Sequence, residues 1–169
     1  MGSLNFKVIP NFLEKKDFYR FQEDIFNIYI PWFYRNSQTL DSKDNSEDIG
    51  YFSLNFFNDA SKDFTQFDYF LNKIYTKLGC NALIQSRANL ILKQCKNTEL
   101  FFHTDYSFKC YTSIFYMNTN NGGTILDENQ KIKVDSVENT MLIFDSQIRH
   151  ALLPQSDIKR RIVININYF

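Results

Sequence analysis

The chain has 169 residues, 44% of them hydrophobic and 17% aromatic, and its 19 Lys+Arg balance 19 Asp+Glu. That length fits one domain, and the apolar content excludes disorder as the overall state, because enough surface can be buried to offset chain entropy. Zero net charge argues against binding nucleic acid through a broad basic face.

No apolar run approaches the roughly 18 residues of a membrane span, and residues 1–11 lack a signal-peptide pattern. A soluble, cytoplasmic protein is expected. Residues 13–33 read as a first helix, because Phe18, Phe21, Ile25 and Ile28 recur at helical spacing while Lys15, Lys16, Glu23 and Asp24 fall elsewhere on its surface. Pro31 ends or kinks it. Residues 36–48, rich in Ser, Asp and Asn, have no apolar periodicity and read as a long exposed loop, of the kind that serves as a lid or binding loop. A second helix is expected over 62–78, with Ser61 as N-cap and Gly79 as C-terminal stop. Its buried stripe is Phe64, Phe67, Leu71, Ile74 and Leu78.

Beyond Cys80 the periodicity changes to two. Strands are expected at 87–95, 111–118, 124–126, 131–134, 140–144, 150–153 and 161–169. Asn120-Asn121-Gly122-Gly123 reads as a hairpin turn between the second and third of these, since Asn and Gly accept positive φ. Many short strands point to a sandwich or barrel, with the two helices over one outer face. The fold class is thus mainly β with N-terminal helices (α+β), a single domain in which 1–80 is helical support and 81–169 the β core. Cys80, Cys95 and Cys110 are odd in number and include no C-x-x-C pair. They suit a reducing compartment and read as small buried hydrophobes rather than zinc ligands or a disulfide framework.

The whole chain has two histidines, His103 and His150. In His103-Thr104-Asp105 the first and third residues of an extended segment point to one side, so imidazole and carboxylate can take adjacent positions on a metal. His150 follows 150 − 103 = 47 residues later, at the start of another expected strand. Two His and one carboxylate make the facial set that holds Fe(II) with positions left open. The last strand separates Ile162, Ile164, Ile166 and Tyr168 from Arg161, Val163, Asn165 and Asn167. The first face would pack on the helices and the second would turn inward, where only a polar pocket tolerates it. Arg161 is then aimed inside to bind an anion bidentately, while Arg160 has the opposite parity and sits at the strand edge. Tyr116 could share that anion, or be one core aromatic among many. The Gly122-Gly123-Thr124 turn lets the backbone come close to something at the barrel mouth, or is an ordinary hairpin.

The order and spacing of His103-Thr104-Asp105, Tyr116-Met117-Asn118, Asn121-Gly122-Gly123-Thr124, Phe144-Asp145-Ser146, His150 and Arg161 resemble those of Fe(II)/2-oxoglutarate-dependent oxygenases. Within that superfamily the chain is similar to the prolyl 4-hydroxylase-like group. More narrowly it resembles small hydroxylase-like proteins of marine phages and bacteria, on Asn11-Phe12-Leu13, Pro31-Trp32, Arg87-Ala88-Asn89-Leu90 and the ending Arg160-Arg161-Ile162-Val163-Ile164-Asn165.

The resemblance implies a double-stranded β-helix, or jelly roll, with Fe(II) on His103, Asp105 and His150. It implies 2-oxoglutarate with its C5 carboxylate on Arg161 and Tyr116, O2 as the oxidant and ascorbate as a stimulant. The implied reaction is hydroxylation of an unactivated C–H bond, of a peptidyl or free amino acid such as proline, with release of CO2 and succinate. A hydroxylase of another small metabolite and a non-catalytic metal-binding jelly roll are the alternatives. Asp105 favours hydroxylation over halogenation, because related halogenases lack this carboxylate. Alkylated-nucleobase demethylases carry a second Arg six residues after the first, where this chain has Asn167, which disfavours a nucleic-acid substrate. Prolyl hydroxylases proper often have Lys in place of Arg161, and an aromatic common near residues 91–93 of that group is absent here.

Overall fold

Period-two alternation along Arg160–Tyr168 organises the architecture, because it gives one strand an apolar face and a polar face. The computed structural model describes residues 5–36, 50–58, 62, 64–94 and 100–169. In chain order its elements are β1 (Phe6–Ile9), α1 (Lys15–Ile25), β2 (Phe33–Arg35), β3 (Tyr51–Asn58), α2 (Asp68–Leu78), β4 (Leu83–Leu92), β5 (Tyr111–Tyr116), β6 (Gly123–Leu126), β7 (Ile132–Asp135), β8 (Thr140–Asp145), β9 (His150–Leu153) and β10 (Arg160–Tyr168).

Seven strands form one sheet in the order β1-β8-β5-β10-β4-β3-β2, and three form a second in the order β7-β6-β9. Each pairing is antiparallel. A single bridge between His103 and His150 continues the small sheet past β9. From β4 onward the chain therefore visits the large sheet, the small sheet at His103, the large sheet at β5, the small sheet at β6 and β7, then large, small and large again at β8, β9 and β10. That alternation is the expected jelly roll.

The two faces of β10 divide the core. Ile162, Ile164, Ile166 and Tyr168 are buried with Phe18, Phe21 and Ile25 of α1 and Phe70, Leu71 and Ile74 of α2, so the helices do cover the outer face of the large sheet. Val163 belongs to a second apolar cluster between the sheets, with Ile91, Ile114, Leu126 and Phe144.

The first half is less helical than its composition suggests. Three strands, β1, β2 and β3, lie within residues 1–80. The bulge between Asn55 and Phe57 breaks the alternation of β3, so its strand signal is weak in the sequence. α1 stops at Ile25, well before Pro31. The side chain of Asn27 accepts a hydrogen bond from the backbone N–H of Tyr29 at 3.0 Å, a local turn that competes with the next helical bond and leaves Ile28 81% exposed. α2 begins at Asp68 with no side-chain cap. Ser61 and residues 37–48 lie outside the described residues. Gly79 does end α2, at φ 68 in the left-handed region.

The expected hairpin at 120–123 is a crossover instead, since β5 and β6 belong to different sheets. Neither glycine there has positive φ. What Gly122 and Gly123 provide is close approach: a Cβ on Gly122 would sit 2.7 Å from the Leu153 carbonyl oxygen, and one on Gly123 would collide with that of Val134. Cys80 and Cys110 are free thiols, and Cys95 lies outside the described residues. Among the described residues no helix is long and apolar enough to cross a membrane.

Candidate active site

The small sheet brings the two histidines together. His103 and His150 exchange backbone hydrogen bonds of 3.0 and 2.9 Å across their bridge, and their rings lie 4.5 Å apart. Each Nδ1 faces a carbonyl two residues back, Phe101 at 3.3 Å and Ile148 at 3.2 Å. Nδ1–H therefore donates to backbone, and both Nε2 lone pairs point away from it. Both Nε2 atoms lie 3.7 Å from Oδ1 of Asp105. One ligand atom from each of the three residues lies within 4.8 Å of the others. The other carboxylate oxygen, Oδ2, accepts hydrogen bonds from Thr112 Oγ1 at 3.0 Å and Asn167 Nδ2 at 2.8 Å, which orients Oδ1 toward the histidines.

Protonation suits the same reading. Burial, reinforced by the neighbouring His150, pulls the His103 imidazole down to about 4, so it is a neutral ligand at ordinary pH. Burial opposes ionisation of Asp105, yet His150, the Asn167 amide and His103 together hold its carboxyl below the usual carboxylate range. Two imidazoles and one carboxylate are the donor set of non-haem Fe(II). These residues fit that ion.

One cavity joins this cluster to Arg161. Its empty volume is about 540 Å³ including the open mouth, and its walls include His103, His150, Thr124, Ile114, Val163 and Arg161. Arg161 is 1% exposed. Its Nη1 donates to the carbonyls of Gly123 at 3.0 Å and Leu153 at 2.9 Å, the close approach for which Gly122 and Gly123 leave room. Its Nε is buried with no partner among the described residues, so the Nε–Nη2 edge is the one left for a ligand. Burial lowers the guanidinium to about 10, still fully charged at neutral pH. Arg160 points the other way, donating to the Phe26 carbonyl and lying over the Phe26 ring, as its parity requires.

Tyr116 stands behind this wall rather than in it. It is fully buried beneath the Arg161 guanidinium, 5.6 Å from it, and its hydroxyl donates to Thr124 Oγ1 at 2.9 Å. Thr124 lines the cavity and keeps its own hydroxyl proton for a ligand. Tyr116 therefore reaches the cavity through Thr124 and Arg161.

The spacing argument does not include Arg87 and Asn89, which line the same cavity from β4, or Thr112, which holds Asp105. Arg87, Asn89 and Ile91 share one side of β4 by period two, and only the pairing of β4 with β10 places that side inside.

No family model and no curated protein matches the chain. Among solved structures, a prolyl hydroxylase from Trichoplax adhaerens, in complex with a peptide fragment of a hypoxia-inducible factor, superposes with a TM-score of 0.76 at 17% identity, covering 99% of this chain and 84% of that one. An oxidoreductase of the 2OG-Fe(II) oxygenase family from Burkholderia pseudomallei gives a TM-score of 0.71 at 10% identity, covering 96% and 84%. The chain has the fold of the Fe(II)/2-oxoglutarate oxygenases. HygX from Streptomyces hygroscopicus, with nickel, 2-oxoglutarate and hygromycin B bound, gives a TM-score of 0.63 at 8% identity, covering 98% and 83%.

Proposed function

We propose that the chain is an Fe(II)/2-oxoglutarate-dependent dioxygenase that hydroxylates an unactivated C–H bond. The balance is R–H + O2 + 2-oxoglutarate → R–OH + succinate + CO2. The single observation that carries this reading is that the cluster of His103, Asp105 and His150 opens, through its two histidines, onto the cavity that also holds the unsatisfied edge of a buried arginine.

Nε2 of His103, Nε2 of His150 and Oδ1 of Asp105 would hold the iron, which supplies the redox chemistry that couples O2 to oxidative decarboxylation of the cosubstrate. The chain supplies position and environment. Arg161 receives the distal carboxylate of 2-oxoglutarate on its Nε–Nη2 edge, and Thr124 adds a hydroxyl donor. Tyr116 keeps both in place from behind. Thr112 and Asn167 keep Asp105 turned to the metal, as outer partners of metal ligands do. Ile114, Val163, Ala151 and Leu152 supply apolar stretches of the wall that limit access of bulk water. The substrate is a peptidyl or free amino acid such as proline: one structural neighbour is a prolyl hydroxylase carrying a peptide, and another carries the small molecule hygromycin B.

The test is succinate formation from 2-oxoglutarate with Fe(II) and O2 in the absence of a substrate. Slow uncoupled turnover is expected, abolished together with tight metal binding in His103→Ala. A wild-type protein that forms no succinate and holds metal as well after that substitution overturns the reading.

A further inference from the structure

We infer that Arg87, with Asn89 and Asn165, forms a second anion subsite in this cavity, which takes the carboxylate of a small acidic substrate such as a free amino acid. This rests on the oxygenase reading of the same cavity and narrows its substrate to a molecule with a free carboxylate rather than an internal residue of a peptide.

Position is the first ground. Inward side chains along β10 run Arg161, Val163, Asn165 and Asn167, and Asn167 is bonded to Asp105. Arg87 of β4 lies directly opposite Asn165, and Asn89 opposite Val163, whereas Arg161 lies opposite Ile91. Arg87 and Arg161 are thus offset by four residues along this strand pair, roughly 13 Å of backbone at about 3.3 Å per residue, and start from different ends of the row. Arg161 marks one end of the row. Arg87 stands near the metal-ligand end, on a wall common to His103 and His150.

Satisfaction is the second ground. Nε of Arg87, Oδ1 of Asn89 and Oδ1 of Asn165 are all buried without a hydrogen-bond partner among the described residues. Arg87 forms no ion pair with any described carboxylate, and Oδ2 of Asp105, the acid beside the two cavity histidines, is already committed to Thr112 and Asn167. A cation and two amide oxygens left unpaired on a cavity wall are unfavourable in the empty protein, and a ligand can satisfy them. The guanidinium matches a carboxylate, and the two amide oxygens accept from N–H donors. An α-amino acid offers both groups, with its ammonium beside its carboxylate.

The experiment uses the full chain loaded with Mn(II) and 2-oxoglutarate, and titrates free amino acids and the same compounds as carboxamides by calorimetry. At least one free acid should bind about tenfold or more tightly than its amide, a difference that Arg87→Gln removes. Arg87→Lys should recover part of it. The same variants should bind 2-oxoglutarate within about twofold of wild type, which also shows that they fold. Weakened 2-oxoglutarate binding in Arg87→Gln, comparable to that of Arg161→Met, would place Arg87 in the cosubstrate site and overturn the inference. So would equal binding of acids and amides, or a loaded protein that binds no acid in the panel. Those results leave the oxygenase reading standing, whereas a wild-type protein that takes up neither Mn(II) nor 2-oxoglutarate refutes both.

Discussion

Replacing Arg161 by Met should separate stability from ligand binding. Burial pulls the guanidinium down to about 10, and at 1.36 kcal/mol for each decade of proton affinity its charge opposes folding by about 3 kcal/mol. Against this stand two hydrogen bonds from Nη1 to the Gly123 and Leu153 carbonyls, worth about 1.5–3 kcal/mol each for a charged donor. Removal of the side chain is therefore largely offset, and the ligand-free variant should unfold within about 3 kcal/mol of wild type. Cosubstrate affinity behaves differently. Losing one partner of a buried charge-assisted carboxylate pair costs about 2–5 kcal/mol, a roughly 30- to 5,000-fold rise in the Kd for 2-oxoglutarate.

Calorimetry of the Mn(II)-loaded protein reads the affinity, and thermal unfolding with and without 2-oxoglutarate reads the stability. The wild-type melting temperature should rise with ligand, and that of Arg161→Met should not. Arg160→Met serves as the control, because Arg160 lies on the opposite face against Phe26. Equal losses in the two variants, or undiminished 2-oxoglutarate affinity in Arg161→Met, would refute the assignment of faces along β10.

Other consequences can be measured separately. Asn167→Leu removes the amide that holds Asp105 Oδ2 at 2.8 Å, and metal affinity read by competitive titration should fall about 10- to 100-fold with no first ligand lost. In metal-stripped protein, His103 binds its proton at about 4 when folded against 6.5 when unfolded, so the unfolded state holds more protons between these values. Stability should accordingly fall as pH drops through that window, by up to about 3 kcal/mol in chemical denaturation, and His103→Gln should flatten the slope. Tyr116→Phe deletes the bond to Thr124 while keeping the ring under Arg161, so 2-oxoglutarate affinity should weaken by less than in Arg161→Met. A loss as large as that of Arg161→Met would show that the phenol itself meets the ligand. Ile164→Ala, at a fully buried position between sheet and helices, should destabilise by about 2–5 kcal/mol without changing 2-oxoglutarate affinity.

The site's side chains are held on paired backbone beside an open-mouthed cavity. His150, Arg161 and Thr124 sit within strands, and His103 is tied to His150 by two backbone hydrogen bonds. Such a frame limits the reorganisation needed on loading. The Nε atoms of Arg87 and Arg161, without a partner among the described residues, are the counterpart, polar groups that the proposed ligands would satisfy.

Short-range pattern by itself determined much of this protein. Period two along β10 assigned Ile164 to the helices and Arg161 to the interior, because a strand's side chains alternate whatever its partners are. The spacing in His103-Thr104-Asp105 allowed a shared metal for the same reason. Gly79 stopped α2 where left-handed backbone was needed. Only the tertiary structure decided the rest. Whether residues 120–123 make a hairpin or a crossover depends on which sheet receives β6, and that is settled by pairing with β7 and β9 across the chain. The close contacts that Gly122 and Gly123 permit are likewise with carbonyls of β9 and β7, distant in sequence. The side of β4 that faces inward is fixed by its register with β10, so Arg87 could not be told from a surface cation until Asn165 was found opposite it. Local geometry sets which residues share a face; non-local pairing sets what that face meets.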